Sequence, residues 1–388
     1  MKKSSLVIGV ACAALAMVAA VSGASAQSWT DNITVGGRMY LDLSNSSLEV
    51  NGAKSGNKNG TGFDVKRVYL QVDKKFSDIY SVQVQTDVSQ MAQSGVTCTA
   101  DTSTPPKITC TQSAAGLGLY LKKAYFKAAF SPAFEVSVGA NEMPWIPYAE
   151  SIYGYRWVEN TLLEQNNAGG RSTFGTSADW GVHVGGKFAQ NFAYQVSAVN
   201  GKGYRDAGRT QGMDVEARLS AKFDQWNFAV GGYNGKRGQE TYNGTTEVVA
   251  PHDAQRFDAL AAYVGDRARV GVEYFTATDW QTSSIIDTSA NHAKADEADG
   301  YSVFGSYRVT PMYTVFGRYD NTNPTKTLSP WNEDNYYNLG IQMSPMKGIT
   351  LALVAKHETF DAYAGGAVKG AKTSTEYNEI GIFTELRY

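Results

Sequence analysis

Side chains able to do covalent chemistry are few in this chain. Its four histidines are His183, His252, His292 and His357. His252 and His292 stand in polar stretches beside Asp and Lys residues, but no nucleophile motif accompanies them. A hydrolytic centre needs a nucleophile, an imidazole and an orienting group together. No catalytic residue, metal site or cofactor motif is therefore expected. Two cysteines, Cys98 and Cys110, flank Pro105-Pro106 in a polar segment, without a nearby histidine or zinc-type spacing. In an exported chain such a pair passes through an oxidising compartment, so a disulfide closing this loop is expected. What the sequence has in quantity is charge of both signs, 35 Lys and Arg against 37 Asp and Glu. It forms no basic stripe or tail, which argues against a nucleic-acid partner.

The charges fall at regular intervals. From Met213 to Phe223, Val215, Ala217, Leu219, Ala221 and Phe223 take every second place, and Asp214, Glu216, Arg218, Ser220 and Lys222 fill the gaps. Tyr80 to Val88 repeats the pattern, with Tyr, Val, Val, Thr and Val on one face and Ser, Gln, Gln and Asp on the other. A period of two with one apolar face is a half-buried strand. The charged second face suits a water-filled lumen better than a dry core.

Some sixteen such strands run from 32–43 to 376–388, in an all-β chain with no long apolar run after residue 26. Short connections such as Ser131-Pro132-Ala133, Asp224-Gln225 and Asp266-Arg267 alternate with long ones rich in Gly, Asn, Ser and Thr. The long set is 44–60, 91–117, 142–177, 201–211, 236–254, 279–299, 321–334 and 359–375. Short turns at one end and long loops at the other define a transmembrane antiparallel β-barrel. The last strand, Glu379 to Tyr388, ends on an aromatic residue, as outer-membrane barrels do. Tyrosine outnumbers Phe and Trp and suits an interfacial girdle.

The N-terminus reads as an export signal. Lys2 and Lys3 precede an apolar run from Leu6 to Val21, and Ala24-Ser25-Ala26 is the cleavage site. The run is shorter than the roughly 20 residues a spanning helix needs. Residues 1–26 are thus expected to be a cleaved signal peptide, and 27–388 one barrel domain.

One connection stands apart. Segment 142–177 holds Glu142-Met143-Pro144-Trp145, Tyr148, Tyr153-Gly154-Tyr155-Arg156-Trp157 and Gly169-Gly170-Arg171, too apolar for a loop in water. It is expected to fold inward and narrow the lumen; the alternatives are a loop packed over the rim, or a further strand pair that raises the count to eighteen. Folded inward, it brings Glu142, Glu150, Arg156, Glu159, Glu164 and Arg171 to the narrowest point, where the field is focused. Trp145, Tyr153, Tyr155 and Trp157 offer a stacking surface for solutes, or anchors for the loop. Alternation places Arg67, Lys123, Lys127 and Arg218 on the facing wall.

These residues resemble a known family. Gly62-Phe63-Asp64-Val65-Lys66-Arg67-Val68-Tyr69-Leu70 is similar to the segment that opens the second strand of bacterial porins of the phosphate-selective O and P type. Leu121-Lys122-Lys123-Ala124-Tyr125-Phe126, Val136 to Ala140, Met143-Pro144-Trp145 and Ala178-Asp179-Trp180-Gly181-Val182 follow in that family's order, over about 61–188. The resemblance implies a trimeric, sixteen-stranded channel in a Gram-negative outer membrane, passing small anions or other small hydrophilic solutes. Arg67 falls on the family's basic second-strand position. The 142–177 loop is acidic and lacks an Arg or Lys cluster, so a general diffusion channel is the broader expectation. The rival classes are an adhesive or structural barrel with a closed lumen, and an outer-membrane barrel enzyme.

Overall fold

The computed structural model describes residues 31–388 except 57, 91–95, 101–107, 113–116, 166, 169–172, 243–246, 249–252, 281–285, 288–291, 294–295 and 365–367. The expected signal peptide, residues 1–26, and Arg171 lie outside the described residues.

Sixteen strands form the wall. They are β1 (Ile33–Val50), β2 (Gly60–Lys75), β3 (Tyr80–Gln90), β4 (Leu117–Ser131), β5 (Phe134–Glu142), β6 (Ala178–Phe188), β7 (Phe192–Val199) and β8 (Asp214–Phe223). Then follow β9 (Trp226–Gly235), β10 (Ala254–Val264), β11 (Ala268–Thr278), β12 (Glu297–Arg308), β13 (Tyr313–Asn323), β14 (Glu333–Met346), β15 (Ile349–Tyr363) and β16 (Lys372–Arg387). Each pairs antiparallel with the next, and β16 pairs with β1 from Arg38↔Arg387 to Val50↔Thr375. That closure leaves no sheet edge, which hydrocarbon requires because it offers nothing for a free N–H or C=O to bond. The described residues hold one helix, α1 (Ile146–Tyr153).

The two faces differ as the alternation demands. On β8, Val215, Leu219 and Phe223 point outward and are exposed, while Asp214, Glu216 and Ser220 are buried inside. Val270 and Val272 of β11 and Ile380 and Ile382 of β16 continue the outer apolar band. Near the short turns, Phe130 stacks on Phe134 and Phe188 on Phe192, and Trp226 meets Tyr263 edge-on, as in an interfacial girdle. At the other end β1, β15 and β16 run several residues beyond the apolar band. Their ladder continues there through Glu49↔Glu376 and Asp361↔Ser374. Outside the bilayer a strand needs no apolar face, so these extensions read as loop in the sequence.

Of the four register shifts in the wall, two lie beside short turns and two fall within the strands that face the loop. Between β1 and β2 the register passes from Tyr40↔Arg67 to Leu41↔Val65, leaving Lys66 without a partner in the ladder. Between β3 and β4 it passes from Gln85↔Lys123 to Thr86↔Leu121, leaving Lys122 extra. A bulge re-aims the side chains beside it. Lys66-Arg67 and Lys122-Lys123 therefore both enter the lumen as adjacent basic pairs.

Candidate functional site: the barrel lumen

The segment after β5 turns into the barrel. Pro144 cannot continue a hydrogen-bonded strand, and Trp145 goes inward. There its backbone N–H donates to Glu216 at 2.8 Å and its indole N–H to Glu273 at 2.8 Å. Pro147, in the first turn of α1, suits a helix start, and Gly154 ends the helix in the left-handed region at φ 81°. A Cβ on Gly154 would also overlap the Arg269 guanidinium, which donates to the Tyr153 carbonyl at 2.6 Å.

Irregular backbone inside a barrel must find partners for its polar groups. Here the wall charges supply them. Arg218 donates to the Pro144 carbonyl, Lys356 to Val158 at 2.9 Å, Lys66 to Val158 at 3.2 Å, Arg318 to Asn160 at 2.5 Å and Arg256 to Phe174 at 2.5 Å. In return Glu358 accepts from the Gln165 side chain at 2.5 Å and the Asn167 backbone at 2.9 Å. Lys356 further binds Glu159 at 3.1 Å and Glu379 at 2.9 Å. Burial alone would raise the Glu159 carboxyl, but Lys356 and Lys66 hold it well below the usual carboxylate range.

Beneath these bonds lies a dry layer. Tyr155 stacks on Phe316 at 4.1 Å, Tyr153 meets Phe304 edge-on at 5.5 Å, and Phe174 packs on Phe275 at 4.7 Å. Trp145, Tyr153, Tyr155 and Trp157 are 0%, 2%, 6% and 3% exposed. Of the two roles the sequence leaves open for these four, solute contact or loop anchor, their burial between loop and wall favours the anchor. Arg218 and Glu159 are likewise anchors of the loop.

Two cavities remain between loop and wall, an inner one against β1–β5 and an outer one bounded by residues of β2, β6 and β8–β10 and the connection after β7. An outer cavity of about 340 Å³ sits toward the long loops, and an inner one of about 240 Å³ toward the short turns. Arg67 and Glu164 line the outer one; Lys123, Glu142, Glu150 and Arg156 line the inner. Tyr69 and Lys122 also line the inner cavity, and Asp87 is buried in the wall beside Arg67. Arg67 meets Asp87 at 3.4 Å, Lys123 meets Glu142 at 2.5 Å, and Arg156 bonds Glu150 and lies 3.9 Å from Glu164. Burial and the neighbouring Glu150 push the Glu164 carboxyl upward, against the pull of Arg156. Lys127 pairs with Glu135 at 3.0 Å, nearer the turn and outside both cavities.

Lys122 differs from its neighbours. Its side chain lies over the Tyr69 ring at 5.0 Å and within 5.9 Å of the Tyr204 ring. Among the described residues it makes no ion pair, and it is only 7% exposed. Strict alternation finds Arg67 and Lys123 but misses Lys66 and Lys122, because no residue type marks either bulge. The outer cavity is lined by five cationic side chains (Arg67, Lys202, Arg205, Arg237, Arg256) against three acidic ones (Glu164, Asp179, Glu216). The inner has four (Arg38, Lys122, Lys123, Arg156) against three (Asp73, Glu142, Glu150). Both carry a cationic excess, although the whole chain is net −2.

Away from the lumen, the short strands Val96–Ala100 and Ile108–Gln112 pair with Cys98 directly opposite Cys110. The two thiol side chains lie outside the described residues.

A closed sixteen-stranded barrel with an apolar outer band and a charged, loop-narrowed interior has the fold of Gram-negative outer-membrane porins, and the outer membrane is where such a barrel resides. No family model and no curated protein matches the chain. Solved structures do. The outer-membrane channel DcaP of Acinetobacter baumannii matches with a TM-score of 0.59 and 13% identity, over 92% of this chain and 97% of that one. An anion-selective porin from Comamonas acidovorans matches at 0.55 and 12%, over 92% and 99%. OmpT, an outer-membrane protein of Vibrio cholerae in its trimer form, matches at 0.53 and 12%, over 92% and 99%. At these identities the likeness is one of fold.

Proposed function

We propose that this chain forms a passive, water-filled channel in the outer membrane for ions and small hydrophilic solutes, with a preference for small anions, phosphate among them. The observation that carries the preference is the cationic excess along both lumen cavities. Asp258, Glu273, Asp320 and Glu358 are buried beneath the loop and do not face the path. Segment 142–177 is the constriction, and the throat lies between Arg67, Lys122 and Lys123 on the wall and Glu150, Arg156 and Glu164 on the loop. The field there biases rates, with no chemical step and no cofactor. The working form is a homotrimer, the form in which the Vibrio protein was solved. Residues 1–26 are removed on export, and Cys98 bonds Cys110 in an outer loop.

Liposome swelling tests this reading. Vesicles holding the folded protein are expected to swell faster in small organic anions or phosphate than in neutral sugars of equal size. Equal rates would remove the anion preference. A second reading has one observation in its favour: Tyr69 and Lys122, which line the inner cavity, are only 5% and 7% exposed. A closed, structural barrel would give no swelling in any solute.

A further inference from the structure

The connection between β7 and β8 reads in the sequence as an ordinary polar outer loop. Its first residues do something else. Gly201 and Gly203 take φ of 83° and 76°, the left-handed region open to glycine. A Cβ on Gly201 would fall 1.9 Å from Asp214 Oδ2, and one on Gly203 would come within 3.1 Å of Thr176 in the constriction loop. The two glycines thus bend Gly201-Lys202-Gly203-Tyr204-Arg205 into a hook that dips into the barrel and touches the end of segment 142–177. The Tyr204 N–H donates to the Ala178 carbonyl at 3.0 Å, and the Trp180 indole N–H donates to the Tyr204 carbonyl at 3.0 Å. The Tyr204 hydroxyl then reaches β3, four strands round the wall from β7, and donates to Asp87 Oδ2 at 2.5 Å. Asp87 is fully buried and also holds Arg67. All five hook residues line the outer cavity opposite Asn160 and Glu164 of the constriction loop.

We propose that Gly201–Arg205 is a second constriction element, so that the outer mouth of the pore is a slot between two inward loops and not between one loop and the wall. Lys202 and Arg205 are specificity-determining residues that meet an entering anion before it reaches Arg67 and Lys122. Tyr204 is a positioning residue: its bond to Asp87 fixes how far the hook projects and ties it to Arg67. Lys202 is partly neutralised by Asp206 at 3.4 Å, and Arg205 is exposed with its guanidinium 4.7 Å from the Tyr120 ring and 5.6 Å from the Tyr204 ring. Both head groups thus stay at the water-filled face of the slot. The proposal rests on the channel reading above.

The test is single-channel recording of wild type, the double variant Lys202→Glu/Arg205→Glu and Tyr204→Phe, each checked for folding by heat-modifiable gel migration. For charges about 6 Å from a permeating ion in 0.1 M salt, the double reversal should lower the local anion concentration about tenfold and raise that of cations by the same factor, a change of about a hundredfold in the permeability ratio. Tyr204→Phe keeps the ring and loses only the tie to Asp87. It should leave the sign of selectivity unchanged and raise open-channel noise. Wild-type steps with an unchanged reversal potential in the double variant would overturn the hook alone. A wild type that is folded yet silent would overturn the channel reading and the hook with it.

Discussion

Lys356 is the residue on which the docking of the constriction loop depends most. Its ammonium is completely buried, lies 4.2 Å from the centre of the Phe383 ring, and serves Val158, Glu159 and Glu379 at once. Replacing it with Met keeps the stem volume and removes the charge. Two nearly buried carboxylates then face each other without their shared cation, and Lys66, 3.2 Å from Val158 O, is the nearest remaining substitute. Breaking a buried pair by removing one partner costs about 3–5 kcal/mol. The barrel ladder does not pass through this side chain, so the loss should fall on the loop. Lys356→Met is therefore expected to fold and insert but to unfold at lower temperature, with noisier single-channel currents. The second change Glu159→Gln should restore part of the loss, since it removes one of the two stranded charges. The pH dependence has a definite sign. A carboxyl held low by folding contributes stability above its unfolded value, near 4.5, and loses it only as pH falls through its lower folded value. In wild type the docked loop should thus persist below pH 4, and in Lys356→Met it should loosen at higher pH. A single variant as stable and quiet as wild type, or a double variant no better than the single, would refute the anchoring argument.

Lys122→Glu reverses a charge that has no ion-pair partner among the described residues. At about 6 Å and 0.1 M salt this should lower the local anion concentration about threefold and raise that of cations by the same factor, read as a shift in reversal potential. Trp145→Phe keeps the packing but leaves Glu273 without its indole donor. A loss of about 1–3 kcal/mol in thermal or denaturant unfolding is expected. Cys98 and Cys110 should resist maleimide in the folded, unreduced protein and react after reduction; immediate labelling of both would exclude the bond.

The wall was legible because a barrel strand writes both faces into every second residue. Val215, Leu219 and Phe223 against Asp214, Glu216 and Ser220 needed no further information, and the alternation of short and long connections supplied the topology. Four features lay beyond that signal. Lys66 and Lys122 owe their direction to bulges, which depend on pairing across strands and not on local sequence. The ends of β1, β15 and β16 stand clear of lipid, so their pairing is not accompanied by an apolar face. The aromatics of 142–177 announced an unusual loop, but sequence alone left both a solute face and an anchor open, and the burial of Trp145 and Tyr155 favours the anchor. The hook at Gly201–Arg205 is marked by two glycines around a lysine, a pattern too common in surface loops to have been read.

The proposed channel is an open path whose charge favours anions. The reversal potential of single channels in a planar bilayer, taken across a potassium chloride gradient, tests it most directly. Ohmic steps with a potential on the chloride side are predicted. Steps with a potential on the potassium side would contradict the charge argument, and no steps from folded protein would contradict the open path itself.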